Sequence, residues 1–303
     1  MVRKYGIALL GILLSGGMLA VQGSIGCAEV SRPLLTHKSY SRAEVIQGPQ
    51  KLVLCSTSAL VEDQRTGELL VQKQADLVLP IASITKLMTA MVVLDARMNL
   101  QESLTIEPED VDNLRHSHSH LPVGTRLTRG EALLLALMAS ENRAAHALGR
   151  TYPGGLGAFV TAMNAKARSL GIVKTRFEDT AGLSRGNVSC ARDLARMVDV
   201  AHRYQLIREC STRKEAVIHS GRRTLIFRNT NLLIRSPHWQ IGLSKTGFIG
   251  AAGRCLVMQA QVAQRPMLFV LLDSQGKLTR FGDANRIKQW IEGPPPARRK
   301  GIG

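Results

Sequence analysis

The chain has 303 residues, enough for one large core or two modest lobes without help from disulfides or metals. At 45% hydrophobic and 21% charged it has ordinary globular composition, which excludes wholesale disorder, collagen-like repeats and a multi-span membrane protein. A net charge of +17 points to an anionic partner, whether nucleic acid, anionic lipid or an acidic polymer, and does not choose among them.

Arg3 and Lys4 precede an apolar run from Ile7 to Ala20, too short to span a bilayer and of the length of an export signal. Residues 1–28 are therefore expected to be a signal peptide, cleaved between Gly23 and Ala28, and the mature chain is expected to be exported. Gly26-Cys27 has some look of a lipoprotein site, but Ser24 stands where such sites prefer Leu, so a lipid anchor on Cys27 is the lesser reading. Residues 29–50 are polar without a period and read as an N-terminal extension. The five cysteines (27, 55, 190, 210 and 255) show no metal-binding spacing, and buried thiols are expected. The pair Cys190 and Cys210 sits at the two ends of what reads as one helix, too far apart to bridge.

Lys51–Val61 and Glu68–Lys73 read as strands around an Asp63–Gly67 turn, which opens the domain with an antiparallel hairpin. Leu87, Met91 and Leu94 recur at helical spacing over Ser83–Ala96. Glu131–Leu148 reads as a second, largely buried helix, Leu156–Leu170 as a third and Cys190–Glu209 as a fourth. The period then changes: Gly242–Phe248, Gly253–Val262 and Met267–Asp273 are strands, and Thr279–Glu292 closes as a helix. Strands at both ends with helices between them predict an α/β (α+β) fold, an antiparallel sheet flanked by helices. Its domain spans 51–293, with a helical lobe inserted at roughly 97–240, and the basic segment 294–303 is a solvated tail.

Ser83-Ile84-Thr85-Lys86 puts a hydroxyl and an amine on one face of a helix start, a nucleophile and a base if the lysine pKa is lowered. By itself the pattern is equally an N-cap serine with a solvated lysine. Ser140-Glu141-Asn142 ends a buried aliphatic run, where polar residues must face a cavity or satisfy a helix break. Lys245-Thr246-Gly247 lies in an apolar strand, where a lysine could simply guard an edge against aggregation.

Together and in this order, the three motifs resemble the Ser-x-x-Lys, Ser-x-Asn and Lys-Thr-Gly set of penicillin-binding proteins and serine β-lactamases. The likeness extends to Ala82–Thr89, Leu137–Ala145, Tyr152–Gly155, Lys245–Phe248 and Ala252–Met258, which are similar to low-molecular-mass D-alanyl-D-alanine endopeptidases of the penicillin-binding protein 7/8 type. It runs from about Lys51 to Trp290. The family more often has Thr where Cys190 stands. The resemblance implies the serine β-lactamase and DD-peptidase fold, and Ser83 as acyl-enzyme nucleophile with Lys86 as its base. It further implies that Ser140 passes a proton to the leaving amine, that Asn142 positions Lys86 and the substrate amide, and that Lys245 lowers the Lys86 pKa by like charge while attracting the substrate carboxylate. Thr246 would bind that carboxylate, Gly247 would let substrate approach the strand, and the backbone N–H groups of Ser83 and Phe248 would form the oxyanion hole. No metal or cofactor is called for.

His116, His118 and His120 could share one side of a strand and bind zinc, although the segment lacks strand-like apolar residues. Arg280 reads as a solvated helix-start arginine, with carboxylate recognition as the alternative. Glu178 falls where class A β-lactamases keep a deacylating glutamate but lacks the Leu-Asn that should follow, and reads as structural.

The expected activity is cleavage of D-Ala–meso-diaminopimelate cross-bridges in peptidoglycan, with β-lactams as covalent inhibitors and no transmembrane segment in the mature chain. A DD-carboxypeptidase is the first alternative, disfavoured because the chain ends soon after the last helix without a second β domain or amphipathic anchor. β-Lactamase ranks below it for want of a deacylating base, and a non-catalytic wall-binding protein is opposed by three intact motifs. Nucleic-acid binding is not expected from 4% aromatics and no recognition motif.

Overall fold

The computed structural model describes residues 52–115, 119–221 and 223–293. The expected signal (1–28), the extension (29–50), Cys27, His116, His118 and the basic tail (294–303) lie outside the described residues. In chain order the strands are β1 (Ser56–Asp63), β2 (Leu69–Lys73), β3 (Leu79–Pro80), β4 (Ser103–Thr105), β5 (Arg126–Thr128), β6 (Val188–Ser189), β7 (Glu215–Ser220), β8 (Arg223–Arg228), β9 (Gln240–Ile249), β10 (Gly253–Val262) and β11 (Arg265–Ser274). The helices are α1 (Thr85–Asp95), α2 (Arg129–Met138), α3 (Asn142–Arg150), α4 (Gly155–Ser169), α5 (Ala191–His202), α6 (Gln205–Thr212) and α7 (Thr279–Glu292).

The main sheet has the antiparallel order β2-β1-β11-β10-β9, so strands from the two ends of the domain pair at its centre, Leu60 opposite Val270. Both faces are covered. Leu60, Val257 and Val270 point into a large core shared with α1–α6, while Ala59, Leu256, Met258, Phe269 and Leu271 pack beneath Phe281, Ala284 and Ile287 of α7. Burial on both faces explains why these strands read as continuous apolar runs rather than as an alternation. β9 ends the order, bonded to β10 on one side and lying against the Ala82–Ile84 turn on the other. Among the described residues no helix is long and apolar enough to cross a membrane.

The Glu131–Leu148 helix is in fact two. Ser140 takes a left-handed φ of 61° and Glu141 is extended, so α2 stops and α3 starts anew, while the Glu141 N–H reaches back to Leu135 O at 3.1 Å. The Cys190–Glu209 helix also breaks, at Arg203–Tyr204, where Arg208 Nη1 caps the end of α5 by donating to His202 O at 2.6 Å. Cys190, Cys210 and Cys255 are buried free thiols as expected, but Cys55 is exposed. The β7–β8 hairpin was not read as strands: Ala216 and Ile218 turn inward between exposed neighbours, a period of two in a polar stretch.

Asp283 joins α7 to β1. Its carboxylate is fully buried and accepts from Ser56 N (2.7 Å), Cys55 N (3.1 Å) and Ser56 Oγ (2.5 Å), with Arg286 as its ion-pair partner. Asp283→Ala would leave these donors buried without an acceptor, so unfolding should become easier by about 3 kcal/mol, checked as a fall in the thermal midpoint.

Candidate active site

Ser83 sits in a 3-10 turn, Ala82–Ile84, that runs directly into α1. The turn is strained, with Ala82 at φ 48°, and is pinned from two sides. Thr85 Oγ1 donates to Ala82 O at 2.7 Å, and the Ile81 N–H bonds to Asn187 O at 3.0 Å. Two glycines from distant segments close on it. A Cβ on Gly182 (φ 83°) would stand 2.0 Å from Ala82 O and 2.8 Å from Ser83 N, and one on Gly247 would stand 2.8 Å from Ile81 O and 3.2 Å from Ser83 N. Gly182→Ala should push the turn off its position and cut the rate of penicillin acylation about a hundredfold, because a shift of about 1 Å at a nucleophile is that costly.

The i, i+3 spacing brings Lys86 Nζ to 2.8 Å from Ser83 Oγ. The amine also donates to Asn142 Oδ1 at 2.7 Å and to Ala181 O at 2.6 Å, and its residue is 0% exposed. Across the cleft, Lys245 Nζ donates to Ser140 Oγ at 2.9 Å and to Thr246 O at 2.8 Å. Thr246 Oγ1 donates to Thr230 Oγ1 at 2.6 Å. Ser83, Lys86, Ser140, Asn142, Lys245, Thr246 and Gly247 thus converge on one cleft from the α1 start, the α2–α3 break and the β9 edge.

Burial is the largest cause that brings the Lys86 amine down to about 7, against the opposing pull of Asp179, Glu141 and Asp112. Lys245 is lowered well below the usual lysine value, first by burial, then by the charges of Lys86 and Arg280. The expectation that like charge activates Lys86 is corrected accordingly: burial is the first cause for both amines, and like charge lowers Lys245 rather than Lys86.

Sequence reading missed the loop behind Lys86. Asp179 accepts from the N–H groups of Ala181 (2.7 Å), Gly182 (2.5 Å) and Ser184 (2.6 Å), which fixes the Ala181 carbonyl and Gly182 against the Ser83 turn. Asn187 braces the same loop, accepting from Glu178 N at 2.8 Å and donating to Thr85 Oγ1 at 3.0 Å. The available signal was an aspartate followed by a glycine three residues later, a turn pattern.

Arg280 is not solvated. It is 7% exposed, lies 4.4 Å from the Phe281 ring centre, donates to Lys277 O at 3.3 Å and is brought down to about 10 by burial and by Arg254. Glu178 is held by Ser184 Oγ (2.6 Å) and Arg176 (2.8 Å), away from the amines. Of the alternating histidines only His120 is described, and its ring stands edge-on to Phe227.

A five-stranded antiparallel sheet with helices on both faces, and a serine and two lysines gathered at its edge, is the architecture of the DD-peptidases and DD-transpeptidases. The chain belongs to the peptidase S11 family, whose profile, described as D-alanyl-D-alanine carboxypeptidase, matches residues 46–276. It is 49% identical to a D-alanyl-D-alanine endopeptidase of Pseudomonas aeruginosa over 80% of this chain and 79% of that one. A D-alanyl-D-alanine endopeptidase of Escherichia coli is 47% identical over 79% and 78%. Among solved structures, the DD-transpeptidase of Streptomyces K15 superposes with a TM-score of 0.74 at 27% identity, covering 81% of this chain and 98% of that one.

Proposed function

We propose that the chain is a periplasmic serine DD-endopeptidase that hydrolyses D-Ala–meso-diaminopimelate cross-bridges of peptidoglycan, with Ser83 as nucleophile. The observation that carries this reading is the hydrogen-bond set of Lys86. Lys86 Nζ donates to Ser83 Oγ, Asn142 Oδ1 and Ala181 O; the last two can only accept, so once the amine is neutral they take its two N–H groups and its lone pair turns to the Ser83 hydroxyl. A buried amine at about 7 is neutral often enough to serve as that base.

Ser83 Oγ bonds to the D-Ala carbonyl carbon as its proton passes to Lys86. The N–H groups of Ser83 and Phe248 hold the resulting oxyanion. Ser140, hydrogen-bonded to Lys245, passes a proton to the leaving amine as the C–N bond breaks, and water then hydrolyses the Ser83 ester. Thr246 and Lys245 receive the carboxylate beside the leaving amine. Lys245, held low by burial and neighbouring cations, is drawn to its protonated form by that carboxylate. β-Lactams acylate the same hydroxyl.

The export signal expected over 1–28 supports the compartment, and the net charge of +17 suits an anionic polymer as substrate. A DD-carboxypeptidase is the second reading, because the family profile carries that description. Digesting cross-linked muropeptide dimers and monomeric pentapeptides separately distinguishes them: dimers should be cleaved with the higher kcat/KM, and preferential release of terminal D-Ala would overturn the endopeptidase reading. A wall-binding protein without activity would take no fluorescent penicillin.

A further inference from the structure

Phe248 follows Lys245-Thr246-Gly247 directly and is 55% exposed, although Lys245 and Thr246 beside it are buried. The Arg254 guanidinium lies 4.2 Å from the centre of its ring, from the position opposite Phe248 in the β9–β10 pair. Arg254 is half-buried, and its guanidinium has no ion-pair or hydrogen-bond partner among the described residues. Asp273, whose carboxylate lies beside Gly253, is taken up by Thr57 (2.8 Å) and Gln275 (3.0 Å) instead. An aromatic left open and a cation left unpaired, in contact beside Lys245-Thr246-Gly247, form a ready surface for a planar anion.

Their place on the sheet says which side of the scissile bond they face. Thr246 and Phe248 are two apart on β9 and share a face, and Leu256, opposite Thr246, belongs to the core beneath α7. Arg254 therefore lies on the α7 side, with Arg280 near enough to feel its charge. That is the side on which Thr246 receives the carboxylate of the leaving group. Arg254 thus adds a cation on the Thr246 face beyond Lys245, which receives the first carboxylate. A terminal D-Ala brings only one, whereas the leaving strand of a cross-bridge brings that carboxylate and at least one more on the rest of its stem peptide.

We propose that Arg254, stacked on Phe248, is a specificity-determining residue that binds a second carboxylate, one carried by the leaving strand of a cross-bridge and absent from a terminal D-Ala. The inference rests on the endopeptidase reading and deepens it. It makes Arg254 a selector of cross-linked over monomeric substrate, since a bidentate guanidinium–carboxylate pair forms only with the former.

The test compares wild type, Arg254→Gln and Arg254→Lys, each shown to melt as a folded protein, on a cross-linked muropeptide dimer and on a monomeric pentapeptide. In Arg254→Gln the ratio of kcat/KM for dimer over pentapeptide should fall about tenfold or more, the size expected for one charge-assisted pair, and Arg254→Lys should recover part of it. A dimer whose leaving stem has its further carboxylates amidated should be cut by wild type as slowly as Arg254→Gln cuts the native dimer. Equal losses on dimer and pentapeptide would make Arg254 part of general carboxylate recognition, and no loss on either would make it idle, and both overturn the proposal. If wild type cleaves neither substrate, the endopeptidase reading fails first, which a discriminating wild type with an unaltered Arg254→Gln ratio does not imply.

Discussion

Ser83→Ala is expected to abolish labelling by fluorescent penicillin and to lower muropeptide cleavage by at least about 10⁴-fold, since the Ser83 hydroxyl is the one in hydrogen-bond reach of the lowered Lys86 amine. The fold should survive. The lost hydroxyl is hydrogen-bonded to Lys86 Nζ, which keeps Asn142 Oδ1 and Ala181 O as partners, and alanine adds no atom to a turn already confined by Gly182 and Gly247. Intact-mass measurement after penicillin treatment, alongside a thermal melt, reads both halves of the prediction. A well-folded Ser83→Ala protein that still gains the mass of one penicillin would move the nucleophile to another residue.

The second large effect is that of the base. With the folded Lys86 amine at about 7, the neutral form gains as pH rises, so acylation should climb through that region and level off above it. The limb belongs to the coupled pair Lys86 and Lys245 rather than to one amine. Lys86→Ala should reduce acylation about 10³-fold and erase the limb. Stability should follow the same group. Between about 7 and its unfolded value of 10.5, the unfolded chain holds a proton that the folded chain lacks, so the Lys86 contribution to stability increases as pH rises across that window. Stopped-flow acylation from pH 5 to 9 measures the first effect and chemical denaturation over a wider range the second. A rate that is flat across neutral pH would remove Lys86 as the base.

Local rules carried much of the reading. The i, i+3 spacing of Ser83 and Lys86 needs only a helical turn, and it holds at 2.8 Å. β10 and α7 occupy the residues expected of them, because a ten-residue apolar run bounded by glycine and a final amphipathic stretch are signals contained within one segment. The family resemblance rested on short motifs of the same kind, and the peptidase S11 profile agrees with it.

What tertiary structure alone decided was whatever depends on residues far apart in the chain. The Ser140 break divides what reads as one helix, and its left-handed turn is what presents Ser140 to Lys245, 105 residues away. Arg280 sits at a helix start that reads as solvated, yet it is buried beside Arg254. Lys86 is an ordinary lysine in the sequence. Its pKa falls through desolvation, a property of everything packed around it: Asn142 from 56 positions on and the Ala181 carbonyl from 95 positions on, behind a loop that Asp179 holds. Spacing along a helix is local and legible in one segment, whereas burial and the proton affinity it sets are sums over the whole fold.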